Sequence, residues 1–205
     1  MLVYGFVRYF PATNFQAPRF LRQWTRGREL DRLETAADQI GNPHQFVMWG
    51  DALREVGCWD QAESAYSRAL AKDPQNLQAL WGRAQVAEHS GEFAEMERCT
   101  RSILDKDPQY KFGDVSLAYG KALAAGGQPE AAQEHLEQHI KRWRHPEALY
   151  QLAVLCRDAG EPDAARQHLR AAPAGPERQP HRDRPPAWPL RSRAWQMLRK
   201  LPPQP

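Results

Sequence analysis

Several patterns are missing from this sequence, and each absence removes a class of function. No run of alternating Val, Ile and Thr is bounded by Asn-Gly turns, so strands are not expected. Without strands there is no strand-to-helix glycine loop to cradle a phosphate, and no Ser, His and Asp form a nucleophile elbow. Cysteine is scarce. Cys58, Cys99 and Cys156 lie far apart without a C-x-x-C pair, which suggests free thiols in a reducing compartment. Each falls at a helical-repeat position, where cysteine serves as a small apolar residue. His135 and His139 stand one helical turn apart, with His168 at the equivalent place further on, but HLEQH puts its glutamate wrongly for the zinc-protease motif. These histidines are expected to pack between helices, and Glu63, Glu92, Glu95 and Glu130 to lie on solvated faces. No catalytic residue, metal or cofactor is expected.

Long apolar runs are absent too. The start, MLVYGFVRYF, is apolar for seven residues before Arg8, against about 20 for a ~30 Å hydrocarbon core. Its charges follow the apolar stretch, unlike a signal peptide. What stands there is charge of one sign. Residues 1–28 hold five arginines (Arg8, Arg19, Arg22, Arg26, Arg28) and no acid, residues 29–172 hold 16 basic and 23 acidic residues, and residues 173–205 hold seven basic and two acidic. A mildly acidic body with basic ends differs from a uniformly basic nucleic-acid binder. Nucleic acid is disfavoured further because the tail arginines alternate with proline, without an ordered aromatic platform beyond Trp188 and Trp195. The basic start sets a different expectation, a membrane-proximal segment meeting an anionic surface at the inner face of the cytoplasmic membrane, with the body in the cytoplasm.

What the sequence does have is a repeat. Gly57 recurs 34 residues later as Gly91, and Asp73-Pro74 as Asp107-Pro108. The segments are PHQFVMWGDALREVGCWDQAESAYSRALAKDP and LQALWGRAQVAEHSGEFAEMERCTRSILDKDP. A third copy has Gly120, Gly127, Ala132 and Leu136, and a fourth has Leu149, Leu152, Ala153, Gly160, Ala165 and Leu169. Glycine at the end of each first helix suits a left-handed stop, and the Asp-Pro pairs end the second helices. Small residues at the helix contact let two backbones approach while a facing aromatic fills the gap. Each two-helix unit leaves an apolar face that only its neighbour can cover. The expected chain is all-α. Its parts are a basic and apolar segment over 1–28, a helical cap over 28–42, repeats over about 43–76, 77–112, 113–145 and 146–172, a Pro/Arg-rich linker over 173–189, and a short amphipathic helix with tail over 190–205.

The first copy, with Phe46, Trp49, Gly50, Leu53, Ala62, Tyr66, Ala69 and Pro74, resembles the tetratricopeptide repeat family. The second departs at Arg83, Met96 and Thr100, and the third at Ser116 and His139, where apolar or small residues are usual. The resemblance implies a right-handed α-solenoid that holds partner proteins and is not an enzyme. It also implies a concave groove lined by His44, Val47, Asp51 and Arg54, then Gln78, Trp81, Gln85 and Glu88, then Asp114, Leu117, Lys121 and Ala124, and finally Glu147, Tyr150, Val154 and Arg157. Such a groove lacks the lysines and asparagines with which chaperone-binding members grip a C-terminal carboxylate. It suits an extended or helical peptide with an apolar anchor and mixed charge. A membrane-tethered assembly factor for envelope proteins, and an RNA or anionic-ligand binder, are the alternatives.

Overall fold

A computed structural model of the chain describes residues 19–171 together with Arg193, Gln196, Met197 and Arg199. Among them are nine α-helices: α1 (Arg19–Ile40), α2 (Pro43–Val56), α3 (Trp59–Lys72), α4 (Leu77–Ser90), α5 (Phe93–Leu104), α6 (Asp114–Ala125), α7 (Pro129–Arg142), α8 (Pro146–Asp158) and α9 (Pro162–Ala171). No described residue is in a strand. From α2 onward the helices pair as four antiparallel hairpins, each packed on the next, and the stack is a right-handed solenoid. The leading helix starts at Arg19 rather than at 28, so Arg19, Arg22, Arg26 and Arg28 lie along α1. Residues 1–18 and 173–189 lie outside the described residues.

Local chemistry sets the hairpin boundaries. Gly57, Gly91, Gly127 and Gly160 all have φ between 77° and 85°, a conformation in which a Cβ would clash. At Gly57 the amide closes on Arg54 and Leu53 carbonyls, satisfying the end of α2. Asn42 and Asn76 cap the next helices, their side chains accepting from the amides of Gln45 at 2.9 Å and Ala79 at 3.0 Å.

Packing explains the repeat pattern. Tyr66 is fully buried and its ring lies between two glycines. A Cβ built on Gly50 would approach the ring to 2.8 Å, and one on Gly82 to 2.3 Å. Thus α2, α3 and α4 meet on one aromatic ring. Ala62 is also fully buried in this cluster. Ala62→Leu should overpack the α2–α3 contact and cost about 1–3 kcal/mol, and a thermal melt identical to wild type would contradict this packing.

The departures from the repeat pattern are compensated. Arg83, where a large apolar residue is usual, has its Nε 2.9 Å from Glu95 Oε1. The N–H is not aimed along that line, so the contact is an ion pair rather than a hydrogen bond. Glu95 is therefore not the solvated acid that the sequence suggests: Arg98 grips both its oxygens and the Cys99 thiol donates to it at 3.3 Å. Burial opposes ionisation of Glu95, but Arg98, Cys99 and Arg83 together hold its carboxyl below the usual range. Thr100 returns its hydroxyl to the Met96 carbonyl at 2.7 Å. In the third repeat, Ser116 and His139 face each other, with Ser116 Oγ 3.0 Å from His139 Nδ1.

Two of the cysteines are buried, as helical packing predicts, and one is not. Cys99 and Cys156 lie in the core, whereas Cys58 is exposed at the N-cap of α3. Burial and the Glu95 charge push the Cys99 thiol up to about 12, so it stays protonated and unreactive.

Candidate partner-binding groove

α2 lies against α4 and α6 against α8, and the Lys121–Glu88 ion pair joins α6 to α4. Of the sixteen residues predicted to line the groove, fifteen are exposed or half-buried. The exception is Val47. It is 1% exposed, in the core cluster with Ala37 of α1 and Phe46. Because α1 packs on α2, Val47 is a core residue and not an anchor. His44, Gln78 and Arg157 are exposed. Asp51, Arg54, Trp81, Gln85, Glu88, Asp114, Leu117, Lys121, Ala124, Glu147, Tyr150 and Val154 are half-buried.

The charged members are tied into networks. Tyr66 donates its phenol proton to Asp51 Oδ1 at 2.7 Å, Arg54 Nε donates to the phenol oxygen at 3.3 Å, and Gln78 Nε2 donates to Asp51 Oδ2 at 3.2 Å. Burial and the Asp51 carboxylate push the Tyr66 phenol well above its ordinary range, so it acts as a permanent donor. Asp51 is thus occupied from the core side and links α2 to α4. Further along, Lys121 of α6 pairs with Glu88 of α4, and Glu147 accepts from Gln151 Nε2 at 3.3 Å on α8. Charges bonded this way keep their geometry without a partner, which lowers the ordering cost of binding.

The apolar members each lean on a core cluster while keeping an edge exposed. Trp81 packs against the cluster that contains Leu80, Ala84 and Val115, Leu117 against the cluster of Leu136, Ala148 and Leu152, and Tyr150 and Val154 against a cluster that contains Met197. Met197 is 5% exposed. It packs with Ala153, Cys156, Ala165 and Leu169 of the fourth repeat, and the rest of the helix and tail expected over 190–205 lies outside the described residues apart from Arg193, Gln196 and Arg199. One contributor was not legible from the repeat register: Tyr66, which positions Asp51.

No curated protein sequence matches the chain. The tetratricopeptide repeat profile matches residues 47–97 and 117–179. The chain belongs to the tetratricopeptide repeat family. Solved structures with the same fold include MamA 41-end from Desulfovibrio magneticus RS-1, 16% identical, with a TM-score of 0.67 over 75% of this chain and 87% of that one. Another is YrrB, described as a TPR protein with an unusual peptide-binding site. It is 20% identical, with a TM-score of 0.59 over 68% of this chain and 72% of that one. The repeats make this chain a protein-interaction scaffold. Among the described residues no helix is long and apolar enough to cross a membrane, and no group of three or more His, Cys, Asp or Glu could hold a metal ion.

Proposed function

We propose that the chain holds peptide segments of partner proteins along the face formed by α2, α4, α6 and α8. The observation that carries this is Trp81, half-buried on that face, with the Glu88–Lys121 pair bridging α4 to α6 near it. A rigid aromatic edge framed by fixed charges of both signs suits a peptide with one apolar anchor and mixed polar flanks. Tyr150 offers a second edge in the fourth repeat. The repeat fold and the lack of any converging nucleophile, base and donor set in the described residues support a binding role over catalysis. Because the clamp of the chaperone-binding members is missing, the segment need not end in a free carboxylate. For Arg19, Arg22, Arg26 and Arg28, gathered along α1, an anionic membrane surface is the second reading.

The test is a cross-linking pull-down with wild type beside Trp81→Ala, Tyr150→Ala. Partner capture should fall at least tenfold, as for aromatic hot spots, while helicity is kept and the melting temperature falls only slightly because both rings are already part-exposed. Equal capture by both proteins, with cross-links on α3, α5 or α7, would move the site to the other face.

A further inference from the structure

The leading helix is longer than the helix it packs on. α1 has 22 residues and α2 has 14, and only Gly41 and Asn42 join them. Helices joined by so short a link and packed together run antiparallel. The start of α1 therefore passes beyond the end of α2, by about 12 Å at a rise of about 1.5 Å per residue. The core contacts described for α1 all fall in its second half. Ala37 belongs to the cluster of Phe46 and Trp49, Leu30 and Leu33 pack against that cluster, and Asp38 is held by Arg68 of α3. Gly27, Arg28 and Glu29, just before, are exposed.

The sequence changes character where this packing stops. Leu30, Leu33 and Ala37 share one helical register, and the same register followed back towards the start carries Arg26, Arg22 and Arg19. Phe20, Leu21 and Trp24 fall on the opposite register. Residues 19–28 are thus amphipathic in their own right, with no acid among them. The acids of α1 begin at Glu29, more than a turn beyond Trp24, and continue with Asp31, Glu34 and Asp38. Cations in the first half of a helix and acids in the second oppose its dipole. Helix stability alone would favour the reverse order, so the arrangement points to an anion outside the chain.

We infer that residues 19–28 of α1 dock on an anionic lipid bilayer, with the Phe20, Leu21 and Trp24 register against the acyl chains and the Arg19, Arg22 and Arg26 register among the phosphates. Large apolar residues opposite arginines are what an interfacial helix needs, and cations without neighbouring acids are what an anionic leaflet attracts. Asp31 lies on the same side as Trp24 but about 10 Å further along. It keeps the second half of the helix out of the lipid, so α1 meets the surface at a tilt. Crossing the bilayer is a different matter, and among the described residues no helix is apolar enough for it. Nucleic acid would engage the arginines and leave the apolar register without a role. The inference rests on the membrane reading of α1 and not on the groove.

The experiment sediments the full chain with vesicles of mixed phosphatidylcholine and phosphatidylglycerol, and with vesicles of phosphatidylcholine alone. Binding should need the anionic lipid and weaken with salt. Arg19→Glu, Arg22→Glu, Arg26→Glu should lower partitioning by about tenfold or more, whereas lysine at the same three positions should keep it, because the attraction is one of charge. Phe20→Ser, Trp24→Ser leaves the charge unchanged and should also lower partitioning by about tenfold. Trp81→Ala, Tyr150→Ala should bind vesicles as wild type does, so this inference and the groove reading fail separately. Circular dichroism should show the same helicity and melting temperature in every α1 variant. The inference is overturned if the chain ignores anionic vesicles, if the glutamate variant binds them unchanged, or if the serine variant does, which would leave attraction by charge alone. A melting temperature lowered in the lysine variant, with no vesicle binding by wild type, would overturn it in favour of a structural role beside Glu55 and Asp60 at the α2–α3 turn. Oligouridine binding lost in the glutamate variant but kept in the serine variant, again without vesicle binding, would overturn it in favour of nucleic acid.

Discussion

Truncating Tyr66 to alanine is expected to lower the unfolding free energy by about 3–5 kcal/mol, a large share of the ~5–15 kcal/mol that holds a typical domain. Its ring fills the space left by two absent side chains, Gly50 on α2 and Gly82 on α4. Neither backbone can close that space without separating from its own neighbours. The phenol also saturates Asp51, with Arg54 bonded to the same oxygen. Tyr66→Phe isolates the hydroxyl and should cost about 1–3 kcal/mol, the penalty for a part-buried acceptor left unsatisfied. Gly82→Ala attacks the same joint from outside by driving a Cβ into the ring, at about 1–3 kcal/mol. Chemical denaturation followed by circular dichroism measures all three. A Tyr66→Ala protein within about 0.5 kcal/mol of wild type, the usual effect of a surface substitution, would refute the shared joint between the first two repeats.

Acid should loosen the third and fourth repeats before it reaches the carboxylates. His139 and His145 are 2% and 4% exposed, and a polar chain runs through them. His135 Nε2 donates to the Ser116 carbonyl at 2.9 Å. Ser116 Oγ shares a hydrogen bond with His139 Nδ1, and His139 Nε2 one with His145 Nδ1, both at 3.0 Å. A proton added to His139 would place a charge in this buried cluster, beside two further histidines. Burial, then the neighbouring histidines, lower His139 to about 4, and burial lowers His135 and His168 as well. A histidine whose folded value lies below its unfolded one favours the fold above the unfolded value of about 6.5. As pH falls the unfolded chain takes up protons that the folded chain refuses, so stability drops between about pH 6.5 and 4. From His139 the loss should be on the order of 2–3 kcal/mol after allowing for residual screening. Ser116→Ala, His139→Leu replaces both partners by apolar groups, as at Val115 and Ile103 elsewhere in the core, and should flatten the profile in this window. Parallel profiles for the variant and wild type would show that the chain of rings does not govern acid sensitivity.

Much of the architecture was legible because repeats are nearly one-dimensional. Each unit contacts only its neighbours, so local pattern translates into packing with few long-range unknowns. The glycines at 57, 91, 127 and 160 marked the hairpin turns because a left-handed stop needs them. Ala62 and Tyr66 marked the core because the register put them at the helix contact. The groove positions were legible only as a face of α2, α4, α6 and α8. Val47 failed because its burial depends on α1, a helix that belongs to no repeat. Arg83, Ser116 and His139 read as flaws in the pattern because their partners, Glu95, His135 and Ser116 respectively, lie 12, 19 and 23 residues away along the chain.

The sequence alone determined that this chain is a stack of helical hairpins, where each hairpin turns, and which residues face one another within it. Those properties rest on backbone conformation and on a period of 34 residues, both written locally. Only the tertiary structure decided that Gly82 shares the Tyr66 ring with Gly50, and that Asp51 is held from beneath by a phenol. It also decided that the Trp143 indole packs on the Gly113 backbone. Each of these joins two repeats, and contacts between repeats depend on the angle at which hairpins stack, a quantity that no single segment encodes.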